Sequence, residues 1–598
     1  MKRHLATLAL LAFALCAAPA TAQESADALQ GYWVSDVTTP RPHGELVLRQ
    51  NGDAWEARFG DVVGVASTHA GGVKAQFPGG LGAFRGALSR DRRTLDGFWI
   101  QDGDQGQPLA MPLTLRRDRR GAWRATAAPL DPRFTLYLRI FRRDDGVLIG
   151  AFRNPQRNTR GGGSRLFVER DGAHVLFLEN NGGESGIVHE ATFAPAPDRI
   201  RMLWRETGET LDLVRQPPEN VAAYFPRPSG APPYLYTRPQ ETGDGWRTAR
   251  AGSVGFDETA LAGVVQHIAA SDPAVRQPAL IHSLLVARRG RLVLDEYFFG
   301  HDGNTLHDLR SAGKTFASVM LGAAMQSGVA ISPDTSVASL MHSRAPFATP
   351  SPAKDRITLA HLMTHASGLA CNDNDEASPG GEDTMQSQTA QPDWWKYTLD
   401  LPMQNEPGAR YAYCSGGMNL VGGALTAATG AWLPALFDRT VARPLQFGPY
   451  AWNLAPDGEG YLGGGSRLRP RDLLKIGQMY LDGGGWRGRR IVSKAWVARS
   501  TAPIVTINEQ TTGLDTETLH NTYFGGADGY AWHTFDVTVG GRTYREYEAA
   551  GNGGQILAVV PELDLAVVLT GGNYNQGFIW GRWRDEIVGG AIIAAIRD

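Results

Sequence analysis

Ser311 and Lys314 stand three residues apart at the predicted start of a helix. On a helix this spacing places both side chains on one face, where the lysine amine can accept the proton of the serine hydroxyl. The chain uses arginine far more often than lysine, yet lysine occupies this position. Only lysine can serve as a base, because burial lowers its pKa while arginine stays protonated. The pair therefore predicts a nucleophilic serine with a lysine base.

Spacing alone is weak evidence, because Ser351 and Lys354 repeat it in a proline-rich polar stretch. We interpret this second copy as a chance match. Without further support Ser311 could equally be a helix N-cap, since serine is a preferred capping residue.

Two more segments carry groups that suit the same chemistry. Residues 410–420 contain Tyr413, and residues 549–555 contain Gly551 and Asn552 just before the last predicted hairpin. A phenol beside a protonatable lysine can have its pKa lowered enough to act as a base. Glycines allow the backbone to approach a reacting carbonyl closely. The three segments together are far more specific than any one of them.

With these segments the chain resembles the serine β-lactamase and penicillin-binding superfamily, specifically the class C β-lactamase-like hydrolases. That group includes family VIII carboxylesterases, D-aminopeptidases and 6-aminohexanoate-dimer hydrolases. The resemblance covers roughly residues 251–598, and the segments 357–369 and 463–468 also fit it. It implies an α/β domain with an antiparallel sheet and a helical insertion.

The resemblance also assigns roles to residues. It implies that Ser311 is the nucleophile, that Lys314 is its general base, and that Tyr413 shares proton transfer with Lys314 and the leaving group. The backbone N–H groups of Ser311 and Asn552 would form the oxyanion hole, with Gly551 allowing the close approach.

The chain departs from the family pattern at two positions. The class C motif is Tyr-x-Asn, and its asparagine helps to hold the substrate, whereas Ser415 stands there in this chain. The third motif usually begins with lysine or histidine, whereas this chain has Ala549. A cation that would meet a substrate carboxylate is thus missing from its usual place, and Glu546 or Glu548 could repel anions. We expect an ester or a small amide as substrate, with Ser415 among the binding residues.

The sequence from residue 251 onward has the patterns of a mixed α/β region. Hairpins are predicted at 284–294 and 556–569, with helical patterns such as 314–325 and 472–480 between them. An antiparallel sheet built from both ends of this region, with a helical insertion in the middle, is the arrangement that these elements favour.

The preceding residues form two different regions. Residues 23–216 alternate short apolar strands with turn pairs such as Asn51-Gly52 and Asp145-Gly146, which predicts an all-β, barrel-like domain. Residues 217–250 are rich in proline and predict an extended linker. The hydrolase-like domain follows at 251–598, so we expect a multidomain protein.

The N-terminus predicts export. Residues 1–22 combine basic residues, a short apolar run and small residues before a cleavage site after Ala22, as in a signal peptide. No later segment has about 18 uninterrupted apolar residues, so we expect a periplasmic or secreted protein without a membrane span. Cys371 and Cys414 remain after cleavage, and in an oxidising compartment they could form a disulfide. Two separate buried thiols are the alternative.

Charge and histidine spacing argue against two other kinds of function. The formal charge is −2 without a long basic run, which excludes an electrostatic nucleic-acid binder. His361 and His365 lack the intervening glutamate and the third ligand of a zinc helix, so we predict no metal and no other cofactor.

Our hypothesis from the sequence is an exported serine hydrolase that cleaves an ester or small amide through an acyl-enzyme on Ser311. Two alternatives stay open. The first is a β-lactamase or D,D-peptidase with the same acylation chemistry. The second is a weakly catalytic, penicillin-binding-like or cell-wall-binding module in which the β-domain carries recognition.

Overall fold

The structure is a computed structural model that describes residues 27–597, apart from 53, 70, 71, 104, 105, 157–164, 180–185, 197, 205–207, 276, 277, 523, 524 and 578. The predicted signal peptide, residues 1–22, lies outside the described residues.

Among the described residues, the N-terminal region contains sixteen strands. Apolar and exposed side chains alternate along them, as in the fifth strand, where Val73, Ala75 and Phe77 are buried. The strands are β1 (Gly31–Asp36), β2 (Gly44–Asn51), β3 (Ala54–Phe59), β4 (Val62–His69), β5 (Gly72–Phe77), β6 (Gly82–Leu88), β7 (Thr94–Asp102), β8 (Pro108–Arg117), β9 (Trp123–Ala127), β10 (Thr135–Arg142), β11 (Leu148–Arg153), β12 (Arg165–Asp171), β13 (His174–Leu178), β14 (Ile187–Ala194), β15 (Arg199–Trp204) and β16 (Glu209–Gln216).

These strands form two closed sheets instead of the single barrel predicted from the sequence. β1 pairs with β10 and β16, and this sheet closes through β11–β15. The strands β2–β9 form the other sheet, in which β9 pairs with both β2 and β8. The sequence shows where strands begin and end, but pairing of β1 with β10 depends on contacts about a hundred residues apart. Each sheet encloses its own apolar core.

The proline-rich segment 217–250 is extended apart from two short 3₁₀ turns, Pro218–Asn220 and Ala222–Tyr224. It packs against the C-terminal region and is held there by side chains. The indole of Trp246 is buried and donates to the carbonyl of Arg471, and the hydroxyl of Tyr236 donates to the carbonyl of Val293.

The C-terminal region contains thirteen strands and fourteen α-helices among the described residues. The strands are β17 (Ile281–Arg288), β18 (Arg291–Tyr297), β19 (His307–Asp308), β20 (Trp452–Asn453), β21 (Arg467–Leu468), β22 (Gly485–Trp486), β23 (Arg489–Arg490), β24 (Val505–Thr506), β25 (Ala527–Asp528), β26 (His533–Val539), β27 (Arg542–Gly551), β28 (Gln555–Val560) and β29 (Leu565–Gly571). The α-helices are α1 (Glu258–Ala269), α2 (Phe316–Gln326), α3 (Val337–Leu340), α4 (Pro352–Asp355), α5 (Leu359–Met363), α6 (Glu382–Ser387), α7 (Trp394–Asp400), α8 (Ser415–Thr429), α9 (Leu433–Phe437), α10 (Pro470–Leu481), α11 (Lys494–Ser500), α12 (Glu509–Thr512), α13 (Thr516–Thr522) and α14 (Ile579–Trp583).

An antiparallel sheet with the order β18-β17-β29-β28-β27-β26-β25-β24 joins the two ends of this region. The hairpins β17–β18 and β28–β29 occur where the sequence predicted them, and β17 pairs with β29. Leu284 and Val286 point into one core with α1, while Leu285 points into the opposite core with α10. Most of the helices lie between the two hairpins in the chain and form the helical insertion.

The closed sheet of β2–β9 contacts the helical insertion directly. β20 pairs with β8, and Phe98 makes an edge contact with Trp432 at 5.2 Å between ring centroids. In the described part of the chain no single helix is long and apolar enough to cross a membrane; α8 and residues 433–442 pass that test only as a pair bent by 77°.

Candidate active site

Ser311 and Lys314 lie in a 3₁₀ turn, Arg310–Thr315, that leads from β19 into α2. The Nζ atom of Lys314 lies 2.8 Å from the Oγ atom of Ser311, and Lys314 is only 4% exposed. Arg310 takes a left-handed φ of +48°, a strained conformation that Asp308 supports by accepting the Arg310 amide N–H at 2.9 Å. Ser311 caps no helix here, because the N-cap position of the turn is Leu309. The structure thus brings the Ser311 hydroxyl and the Lys314 amine into direct contact.

The second Ser-x-x-Lys copy has a different environment. Ser351 is the N-cap of α4, and its hydroxyl accepts the amide N–H of Ala353. Lys354 donates to the hydroxyl of Thr349 at 2.7 Å and to the carbonyl of Leu399 at 2.6 Å. Both side chains therefore stabilise local structure, in agreement with our interpretation of a chance match.

Tyr413 lies beside this amine on the segment that precedes α8. Lys314 Nζ is 5.0 Å from the centroid of the Tyr413 ring. The ring of His365 packs on Tyr413 at 4.4 Å, and His365 Nδ1 accepts the amide N–H of Cys414. Cys414 is bonded to Cys371, which confirms the disulfide hypothesis. A buried histidine and a disulfide thus hold the tyrosine in place.

Gly551 ends β27 against the turn that carries Ser311. A Cβ atom at residue 551 would lie 2.4 Å from the carbonyl oxygen of Leu309 and 2.9 Å from the amide nitrogen of Ala312, so only glycine fits. In the described part of the chain, no acceptor pairs with the amide N–H of Ser311 or Asn552. The side chain of Asn552 is engaged elsewhere, since it donates to Asn575 Oδ1 and accepts the Asn575 amide N–H.

Ser415 does not occupy the substrate-binding position that we expected. It is fully buried at the first turn of α8, and its hydroxyl donates to Asp373 Oδ2 at 2.6 Å. Its side chain therefore positions an aspartate instead of a ligand. Ala549 is also buried in the core, whereas its neighbour Ala550 reaches the cavity.

The directions of two pKa shifts differ from our expectation. Burial acts to lower the pKa of Lys314, but Tyr413, Glu382 and Asp373 outweigh burial and raise that pKa above its usual value. Burial raises the pKa of Tyr413, and Lys314 and Ser311 offset this only in part. The resting site therefore holds an ammonium group beside a neutral phenol. These directions are opposite to the lowered pKa values that we expected for the amine and the phenol, because the spacing of motifs does not reveal the acidic groups that surround them.

Two carboxylates form the acidic side of the site. Glu382 donates its amide N–H to Asp373 Oδ1 at 3.0 Å, and its own carboxylate accepts from Tyr461 and Gln386. Burial and then Glu382 raise the pKa of Asp373 to about 6. We did not identify either acid from the sequence, since no motif marks the segment that carries Asp373 and Glu382.

His533 is a further site residue without a sequence signal. Its Nδ1–H donates to Asp528 Oδ1 at 2.6 Å, and Asp528 Oδ2 accepts the hydroxyl of Tyr411 at 2.9 Å. These residues come from the β25–β26 hairpin and from the segment before α8, which meet only in the folded chain.

A cavity of about 500 Å³ connects these groups. Its lining combines the polar groups described above with the aromatic rings of Phe535 and Trp580; it consists of Ser311, Asp373, Asn374, Glu382, Tyr411, Tyr413, Ile507, Thr522, Gly525, His533, Phe535, Ala550, Gly551, Asn552, Asn575, Gln576, Gly577 and Trp580. Glu546 and Glu548 are fully buried, and Glu548 lies 3.5 Å from the guanidinium of Arg584. They do not form the exposed repelling charge that we considered.

A second polar cluster lies between the closed sheet of β1 and β10–β16 and the C-terminal region. His282, His301 and His307 present ring nitrogens within 4.8 Å of one another. Arg153 donates to His282 Nε2, so His282 Nδ1–H donates to His307 Nε2 at 2.8 Å, and His307 Nδ1–H donates to the carbonyl of Asp308. These hydrogen bonds engage both ring nitrogens of His282 and place the Arg153 guanidinium beside them. This arrangement disfavours a metal cation. No sequence motif marks this cluster, because its three histidines meet only in the folded chain.

Comparison with known proteins agrees with this arrangement. The beta-lactamase family model matches residues 278–576, a stretch of 299 residues in a chain of 598. This region contains the antiparallel sheet, the helical insertion and the candidate site, and the chain belongs to the beta-lactamase family.

Solved structures with a similar fold include three of different described activity. A penicillin-binding protein homologue from Caulobacter crescentus is 15% identical with a TM-score of 0.41, over 53% of this chain and 91% of that chain. A family VIII carboxylesterase is 17% identical with a TM-score of 0.39, over 50% and 88%. A D-stereospecific amidohydrolase from a Streptomyces species is 14% identical with a TM-score of 0.38, over 52% and 95%. No curated protein matches the chain significantly.

Proposed function

We propose that this protein is an exported serine hydrolase that cleaves an ester or a small amide through an acyl-enzyme on Ser311. The observation that carries this proposal is the 2.8 Å contact between Lys314 Nζ and Ser311 Oγ at a cavity that also contains Tyr413. No cofactor takes part in the proposed reaction.

The resting protonation state defines the first step. Because Lys314 and Tyr413 both hold protons, one proton must leave this pair before the serine is activated. The neutral amine then takes the hydroxyl proton while Oγ attacks the carbonyl carbon. The amide N–H groups of Ser311 and Asn552 stabilise the oxyanion. The ammonium group finally protonates the leaving group, and water hydrolyses the acyl-enzyme.

The charges at the cavity favour an ester or amide that lacks a carboxylate near the scissile bond. In the described part of the chain, no arginine or lysine belongs to the cavity lining. Asp373 and Glu382 face the cavity instead, and they repel anions. A β-lactam or a peptide with a free carboxylate would therefore meet these two carboxylates and no arginine or lysine in the lining.

The test compares a chromogenic ester with a chromogenic cephalosporin on wild type, Ser311→Ala and Ser351→Ala. We expect ester turnover in the wild type, loss of turnover in Ser311→Ala, and unchanged turnover in Ser351→Ala, which removes the serine of the second copy. Faster cephalosporin turnover would instead support a β-lactamase. Stoichiometric labelling without turnover would support the weakly catalytic module, and ester turnover that survives Ser311→Ala would exclude the proposal.

A further inference from the structure

The His533 imidazole belongs to the cavity wall, but the Ser311–Lys314–Tyr413 chemistry does not use it. Its side chain is 26% exposed, whereas the Asp528 carboxylate behind it is 2% exposed. Since Asp528 accepts the Nδ1–H of the ring, the Nε2 atom carries the lone pair of the neutral imidazole. The hydroxyl of Tyr411 fixes the other oxygen of Asp528, so the ring orientation is defined from two sides.

Hydrolysis of an acyl-enzyme requires a group that accepts a proton from water. After acylation, Lys314 and Tyr413 return to the protonated forms that the site favours. Asp373 already accepts the amide N–H of Glu382 and both donors of Ser415. His533 combines access to the cavity with an Nε2 atom that the bond to Asp528 leaves available to accept a proton.

The charged groups around His533 come from three elements. Asp528 on β25 and Glu548 on β27 raise the pKa of His533, while burial, the largest single effect, and Lys314 lower it; the net shift is upward. Glu548 stands directly opposite His533 in the β26–β27 ladder. The imidazole therefore loses its proton at a higher pH than an ordinary histidine does.

We propose that His533 accepts the proton of the water molecule that hydrolyses the acyl-enzyme, with Asp528 and Tyr411 as positioning residues. This role rests on the serine chemistry proposed above. The water O–H proton moves to Nε2 as the oxygen bonds to the acyl carbon. Collapse of the intermediate breaks the bond to Ser311 Oγ, which takes a proton from the Lys314 ammonium group. The imidazolium later returns its proton through solvent, so the carboxylic acid and the free serine are the products.

The decisive variant is His533→Asn, because the asparagine amide can still donate to Asp528 but has no basic nitrogen. We expect kcat for a chromogenic ester to fall about 100-fold, the usual lower bound for loss of a general base. The burst rate that reports acylation should stay within about twofold of wild type, and mass spectrometry should find the acyl group accumulated on Ser311. Hydroxylamine attacks esters without a general base and should restore turnover.

Two further variants complete the test. Asp528→Asn removes the carboxylate that raises the His533 pKa, so the midpoint of the kcat–pH profile should move to lower pH. His520→Asn, an exposed histidine on α13, is the matched control and should behave like wild type. A parallel loss of burst and kcat in His533→Asn, without acyl-enzyme or rescue by hydroxylamine, would overturn the role of His533 alone. Absence of both turnover and Ser311 acylation in the wild type would instead refute the serine chemistry.

Discussion

Two lysines three residues after a serine illustrate how the environment decides the role of a side chain. Lys354 donates to a hydroxyl and a carbonyl at a helix start, and burial lowers its pKa. Lys314 donates to Ser311 among acidic groups, which raise its pKa in spite of burial. Lys314 therefore needs to lose a proton before it can act as the base that we propose.

The protonated states of Lys314 and Tyr413 predict the pH dependence of acylation. Both Lys314 and Tyr413 have raised pKa values, so the reactive, singly deprotonated pair is a minor form at neutral pH. We expect kcat/KM for a neutral ester to rise with pH above neutrality, by up to about tenfold per pH unit for a single ionisation. Stopped-flow measurements across this range test the prediction.

Two variants sharpen that measurement. Asp373→Asn removes one of the groups that raise the Lys314 pKa, so the rise should begin at lower pH. Lys314→Arg keeps the positive charge but removes the base, and it should abolish the rise together with the activity. A wild-type profile that is flat or falls with increasing pH would contradict our assignment of the resting state.

At the scale of elements, the site depends on the close contact between the end of β27 and the 3₁₀ turn that precedes α2. The Gly551 position permits this contact because it has no Cβ atom. The disulfide Cys371–Cys414 fixes a third segment, which carries Tyr413. Strand, turn and loop thus converge on one cavity although they are distant in the chain.

Gly551→Ala is predicted to separate β27 from the Ser311 turn. The new methyl group would overlap the carbonyl of Leu309, so the backbone must shift and the oxyanion contact from Asn552 is lost. Loss of one such donor costs about 100- to 1,000-fold in kcat. Ester kinetics together with thermal unfolding check this expectation.

Gly263→Ala is the control, because a Cβ atom at this α1 position meets nothing within 4 Å. It should keep wild-type activity and unfold at an equal or slightly higher temperature, since alanine favours helices over glycine. Full activity in Gly551→Ala would show that the close contact is not needed for the reaction.

At the scale of the whole molecule, the closed sheet of β1 and β10–β16 meets the C-terminal region through a buried basic cluster. Arg153 on β11 donates to His282 on β17, and His282 donates to His307. His307 in turn donates to the carbonyl of Asp308, the residue that precedes Leu309. Burial is the largest effect on the pKa of His282, His301 and His307, and it lowers all three. Protonation of these rings would place like charges beside Arg153.

This cluster predicts a loss of stability in acid. The unfolded chain protonates a histidine near pH 6.5, whereas the folded state resists until its lower pKa, about 4 for His307. The free energy of unfolding should therefore be highest above pH 6.5 and fall as the pH decreases toward 4, by about 2 kcal/mol per buried histidine at pH 5. Urea unfolding at a series of pH values measures this slope.

His301→Gln removes one titrating ring and should reduce the decrease between pH 7 and pH 5. His267→Gln, which changes an exposed histidine on α1, should leave the slope unchanged. Equal slopes in wild type and His301→Gln would contradict the assignment of acid sensitivity to this cluster.

From the sequence alone we predicted the family, the two hairpins that join the ends of the sheet, the Ser311–Lys314 pair and the disulfide partners. These features depend on local patterns: alternation in strands, spacing on one turn, and two cysteines beyond the predicted signal peptide. The tertiary structure alone decided that β1 closes a sheet with β10–β16, that Ser415 donates to Asp373, and that acidic groups surround Lys314 and raise its pKa. It also placed His533 in the cavity. All of these depend on contacts between residues far apart in the chain, and charge effects depend on distance in space, which spacing along a sequence does not encode.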